Sequence, residues 1–139
     1  MLLSEKAEKS LRAVREAKVL SYDTETSGLA WTQNHAVGYV ICPDPRNSWY
    51  IPVRHGGGGN LADPNCAPLK TPTDKDVKQH AFERELAKAF DERRQNSSLI
   101  TVGHNVKFDA HFSANQGILL GRHLEDTGIT QALCNEFSK

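Results

Sequence analysis

Apolar positions recur along this chain with two periods, and the switches between them mark out nine elements. In SEKAEKSLRAVREAK the apolar residues Ala7, Leu11 and Val14 fall on one stripe of a helix, and Ser4 stands where a cap belongs. VLSYD (19 to 23) is strand-like, and HAVGYVIC (35 to 42) and SWYIPV (48 to 53) are two more strands, joined as a hairpin by the turn PDPRN. The stretch RHGGGGNLADPNCAPLKTP is too rich in Gly and Pro for regular structure, and its length is typical of a functional or mobile loop. Thr73 followed by Asp76 has the form of a capping box, and Phe82, Leu86, Ala89 and Phe90 carry a helical stripe as far as Arg94. SLITVG (98 to 103) predicts a short buried strand. Residues 105 to 116 predict a helix with Phe108 and Phe112 on one face and Gly117 as its stop. LLGRHLED is a weak strand signal, and TGITQALCNEFSK predicts a last helix. The order α-β-β-β-α-β-α-β-α is that of an α/β domain, divided here into an N-terminal helix (1–17) and the body (18–139).

Composition narrows the class. A chain of 139 residues supports one real core. Lys+Arg and Asp+Glu both number 17, so a nucleic-acid surface, if present, has to be local. Cys42, Cys66 and Cys134 are scattered and form no CxxC, which argues against a disulfide framework or zinc knuckle and fits a reducing cytoplasm. No apolar run reaches membrane-span length, and MLLSEKAEKS is unlike a signal peptide, so we expect a soluble cytoplasmic protein without membrane contact.

Two motifs carry the chemistry. In Asp23-Thr24-Glu25-Thr26-Ser27-Gly28-Leu29 the strand period directs both acids to one sheet face and Thr24 to the other. Like carboxylates that close repel unless they are solvated or share a cation. In GHNVKFDAHF (103 to 112) a strand ends, His104-Asn105 turns the chain, and Asp109 falls in the first turns of a helix. If the first and fourth strands are neighbours, Asp109 arrives beside Asp23. Three carboxylates at one point call for divalent cations, and ligation by oxygen alone suits Mg²⁺ or Mn²⁺. Two such ions about 3.5–4 Å apart are a standard device for phosphodiester hydrolysis.

DTETSGL followed by HNVKFD resembles the first two motifs of the DEDD 3′–5′ exonucleases, above all the proofreading domain of bacterial and phage family A DNA polymerases. The likeness runs from about Lys18 to the C-terminus. It implies a ribonuclease H-like fold, a five-stranded mixed sheet flanked by helices. It also implies catalytic and metal-binding roles for Asp23, Glu25 and Asp109, contacts of Thr26 and Asn105 with the 3′-terminal nucleotide, and Leu29 wedged beside the terminal base. Single-stranded DNA is the implied substrate, RNA being left open, with a polymerase domain downstream and a bacterial or phage-infected cell as setting. Asp126, in the run EDT, reads as a cap of the last helix rather than a ligand. The family's third motif, Tyr-x-x-x-Asp, has no match: Tyr22, Tyr39 and Tyr50 lie upstream, and no Asp or Tyr follows Asp126. We therefore expect a partial domain without its final helix, the first ion incompletely ligated and turnover weak.

Plainer readings stand beside these. The loop His55 to Asn60 lacks the Lys-Ser/Thr of a P-loop and reads as flexible. His104 reads as a turn residue and the other histidines as surface. Phe108 and Phe112 read as core, Trp31 and Trp49 as packing or base-stacking residues, and DERRQ (91 to 95) as a solvated helix end. A ribonuclease D-like exoribonuclease and a non-cutting binding module are the alternative functions.

Overall fold

A computed structural model describes residues 3 to 136. Its elements run α1 (Glu5–Glu16), β1 (Val19–Thr26), β2 (Ala36–Asp44), β3 (Asn47–Pro52), α2 (Ala81–Arg94), β4 (Ile100–Gly103), α3 (Val106–Asn115), β5 (Leu124–Asp126) and α4 (Thr127–Glu136). This is the order expected from the hydrophobic pattern. The strands form one sheet, β3-β2-β1-β4-β5. The first three pair antiparallel; β1–β4 and β4–β5 are parallel. The mixed five-stranded sheet of the ribonuclease H-like fold is therefore present. No helix among the described residues is long and apolar enough to cross a membrane.

Alternation along β1 decides what each sheet face does. Leu20, Tyr22 and Thr24 turn inward, while Ser21, Asp23 and Glu25 are exposed. The inner face meets α1 through Ala7, Leu11 and Val14 and α2 through Phe82, Leu86 and Phe90, all in one buried cluster. The Tyr22 ring meets Phe90 edge-on at 5.3 Å, and its hydroxyl hydrogen-bonds Ser113 Oγ at 2.8 Å, which ties α3 to β1.

Three expectations need correction. Helix α2 opens at Ala81, not near Thr73. The segment before it is taken up by local turns: Asp74 N–H donates to the Thr71 carbonyl, and the Asp74 carboxylate accepts from Asp76 N–H. The cap is His80, whose Nδ1 accepts from Phe82 N–H at 3.0 Å while Glu83 accepts from His80 N–H at 2.7 Å. His80 is accordingly fully buried rather than a surface histidine. The charged run at the end of α2 is not all solvated either. Arg93 is 1% exposed and donates to the carbonyls of Val14, Ala17 and Ile100 and to Thr101 Oγ1, which join α1, α2 and β4. The four fixed acceptors satisfy the guanidinium's donors and so offset the cost of taking its charge out of water.

Candidate active site

Strand β1 pairs with β4 only from Val19 to Ser21 and then runs on to Thr26, leaving one edge open beyond the end of β4. Helix α3 fills that gap. Asp109 Oδ1 accepts both Thr24 N–H (2.8 Å) and Thr24 Oγ1–H (2.7 Å), so the acid closes the edge that β4 has left. Asp109 is 2% exposed. Burial pushes its carboxyl up, the two Thr24 bonds pull it down, and the charge of Asp23 raises it again; the balance is upward. Its bonds to Thr24, the residue between Asp23 and Glu25, place Asp109 at the same end of β1 as those two acids.

The turn that delivers Asp109 is held by Asp126. One carboxylate oxygen accepts from Asn105 N–H (3.1 Å) and Gly128 N–H (2.9 Å), the other from Val106 N–H (2.9 Å). Asp126 thus caps α4, as expected, and also α3, which sequence gave no sign of. Burial alone would raise its carboxyl, but these backbone donors hold it below the usual range. Asn105 takes the left-handed conformation (φ 57°) that lets a single residue reverse the chain between β4 and α3. His104 hydrogen-bonds Thr127 across the same turn, as a turn residue should.

Asp23 and Glu25 differ from every other acid near the sheet. Among the described residues neither side chain makes a hydrogen bond or a salt bridge, and both face solvent one residue apart. Their donor chemistry, oxygen only and without a protein counter-charge, fits a hard divalent cation. The three acids do not, however, converge into a cage: no set of three His, Cys, Asp or Glu among the described residues is arranged to hold a metal ion. Asp109 is turned to Thr24, and the other two stand on the open face.

A β-bulge lies next to this pair. The β1–β2 register shifts between Glu25 and Thr26, which leaves Val37 as the extra residue. Its carbonyl is taken by Val53 and Arg54 N–H instead. Past Thr26 the chain folds back on itself. A Cβ on Gly28 would lie 2.5 Å from Asn34 Oδ1, so only glycine fits that close approach. Leu29 beyond it is 85% exposed. The Thr26 hydroxyl donates to Gly28 O at 2.8 Å, and the Asn105 side chain is exposed and makes no cap bond. The Trp31 indole stacks on His111 of α3 (4.6 Å, 10°), and Asn115 Nδ2 donates to the Trp31 carbonyl. The loop bearing Leu29 is therefore docked on the helix bearing Asp109.

Two groups escaped sequence reasoning. Arg54, inside the Gly/Pro-rich stretch, is 1% exposed and forms a fork-to-fork pair with fully buried Glu83, which also accepts from the Tyr39 hydroxyl. Nothing local links residues 54 and 83. Tyr50 and His55 are hydrogen-bonded at the edge of the open face. Strand alternation could have put Tyr50 on the face of Asp23, but its lean toward Glu25 is a tertiary effect.

The family described as 3′–5′ exonuclease matches residues 3–138. No curated protein sequence matches the chain. Among solved structures, NrnC of Brucella melitensis is similar at 18% identity and TM-score 0.56, with 90% of this chain and 48% of that one covered. NrnC structures with bound Mg²⁺ and bound to pGG match to the same degree. A chain from the crystal of the yeast NOT1 MIF4G domain with CAF1 aligns at 10% identity and TM-score 0.64, over 98% of this chain and 71% of that one. These likenesses establish the fold. The chain spans about half the length of the NrnC structures it matches.

Proposed function

The chain belongs to the 3′–5′ exonuclease domain family, and from that premise we propose that it hydrolyses single-stranded 3′ ends with Asp23 and Glu25 as its anchoring carboxylates. The observation that carries this reading is the exposed, unpartnered pair itself, at the end of a strand that also meets Asp109. Asp23 and Glu25 would hold Mg²⁺ or Mn²⁺ through carboxylate oxygens, with Asp109 joining from the edge of β1. Such ions, when bound, supply a hydroxide near neutral pH and stabilise the leaving oxygen. Thr24 fixes one oxygen of Asp109 and so orients the carboxyl without adding a charge. Leu29, projecting from a loop docked on α3, would lie against the terminal base, and Asn105 and Thr26 beside the terminal nucleotide.

The setting we infer is a proofreading domain of a bacterial or phage DNA polymerase in the cytoplasm, acting on DNA. A second reading, trimming of short RNA, draws support from the neighbouring NrnC bound to pGG. Matched DNA and RNA oligonucleotides, digested with Mn²⁺ from either end, decide between them. The core claim is tested by titrating Mn²⁺ into the wild type and Asp23→Ala. We expect the variant to lose at least tenfold in affinity, a loss of about 1.4 kcal/mol or more. Equal binding by the two proteins would remove the shared site.

A further inference from the structure

Beside Glu25, on the same sheet face, stands a pair to which neither the motifs nor the proposed chemistry assigns a role. Tyr50 on β3 is in register with Val40, which faces Asp23; one row on, Gly38 faces Glu25. The Tyr50 ring leans across onto Gly38, where an added Cβ would lie 2.2 Å from the phenol oxygen. Only glycine leaves that space. The hydroxyl therefore sits over the residue directly opposite Glu25, one strand spacing or about 4.8 Å away from it. The charge of Glu25 reaches it: burial raises the phenol, and Glu25 raises it further, so it stays a neutral donor.

His55 fixes this hydroxyl. In the tautomer protonated at Nε2 the ring donates to Tyr50 Oη, which leaves the phenol proton free for a ligand, and the two rings meet edge-on at 5.7 Å. Asn60 fixes His55 in turn, accepting from its N–H and donating to its carbonyl, each at 2.7 Å. Between them, Gly56 to Gly59 carry no side chain, and the space beside each is open. Gly58 and Gly59 have positive φ, and the N–H groups of Gly56, Gly57 and Gly59 have no protein acceptor among the described residues. A phenol whose ring lies against the sheet cannot stack on a base; what it offers is its hydroxyl. A neutral O–H, together with the unpaired backbone N–H groups of the glycines that follow its partner His55, is a donor set for an anionic oxygen.

We propose that Tyr50, held by His55 and flanked by the Gly56–Gly59 backbone, forms a phosphate subsite that binds a phosphodiester of the substrate strand next to Glu25. The subsite rests on the reading of Asp23 and Glu25 as the reaction centre. It gives the strand a fixed anchor on the β3 side, opposite the Leu29 loop and α3.

The test is binding of a fluorescent single-stranded DNA oligonucleotide, with Ca²⁺ replacing Mg²⁺ so that cutting does not intervene. Tyr50→Phe keeps the ring and removes only the hydroxyl; it should weaken binding about tenfold, as loss of a hydrogen bond to a charged oxygen does. His55→Gln should produce a smaller loss in the same direction. The oligonucleotide is then remade with one uncharged methylphosphonate at each of the last three linkages. Wild type should lose affinity at one linkage, and Tyr50→Phe should be insensitive there. Tyr50→Phe binding like wild type, or staying sensitive to that linkage, overturns the subsite. If Asp23→Ala nonetheless loses Mn²⁺, the proposed function survives that result. Failure of wild type to bind any oligonucleotide overturns both.

Discussion

The two faces of β1 treat polar groups in opposite ways. On the inner face every buried acid has partners: Glu83 accepts from Arg54, Tyr39 and His80, and Asp109 accepts twice from Thr24. On the outer face Asp23 and Glu25, one residue to either side of Thr24, have none. The first pattern is that of a fold satisfying its own interior. The second is that of a surface kept for something the chain does not itself contain. Stability and the proposed function are thus separated by one residue of strand period, and variants on the two sides should separate in the same way.

The largest effect is expected from the inner face. Arg54→Met leaves Glu83 buried without its charged partner, and breaking such a pair costs about 3–5 kcal/mol. Whole domains of this size are stable by about 5–15 kcal/mol, so urea unfolding should show a sharply lowered midpoint. Asp23→Ala in the same experiment should leave the midpoint unchanged or slightly raised, because a like-charge neighbour is removed. A destabilised Asp23→Ala beside an unaffected Arg54→Met would invert the comparison and disprove it.

What could be read in advance follows the same division. Strand and helix periods are local, so β1, β4, α3 and their order were legible, as was the meeting of Asp109 with the strand that carries Asp23 and Glu25. Charges that pair across the fold were not. Arg93 looked like one of a solvated run because its acceptors are carbonyls at the ends of α1 and β4. Arg54 looked like loop because Glu83 is 29 residues away. The start of α2 was missed for a chemical reason: capping signals are written in Ser, Thr, Asp and Asn, whereas here a histidine ring nitrogen accepts.

A middle-sized effect should come from the link between the two regions. The Tyr22 hydroxyl and Ser113 Oγ are buried together and hold α3 on β1. Tyr22→Phe should cost about 1 kcal/mol, and Ser113→Ala a similar amount. The double variant should lose little more than either single one, since both remove the same bond. Mn²⁺ affinity should stay within about twofold of wild type, because Asp109 is held separately by Thr24. Additive losses would mean that the two hydroxyls act through other partners.

The smallest effect tests whether Asp109 belongs to the interior or to the open face. Its carboxyl is raised by burial and by Asp23, so the folded chain binds its proton more tightly than the unfolded chain does. Stability from this group is therefore largest in acid and declines as pH rises from the unfolded value, about 3.9, through the folded one. Asp109→Asn cannot ionise, yet its amide oxygen can still accept from Thr24. In metal-free buffer its melting temperature should match wild type at low pH and exceed it by a growing margin towards neutrality. Asp126 works in the opposite sense: held low by its backbone donors, it loses its contribution as pH falls through its folded value. It is present in both proteins, so it cancels in the difference curve. Parallel melting curves across the range would mean that Asp109 ionises as freely as an exposed acid, and would move it to the side of Asp23 and Glu25.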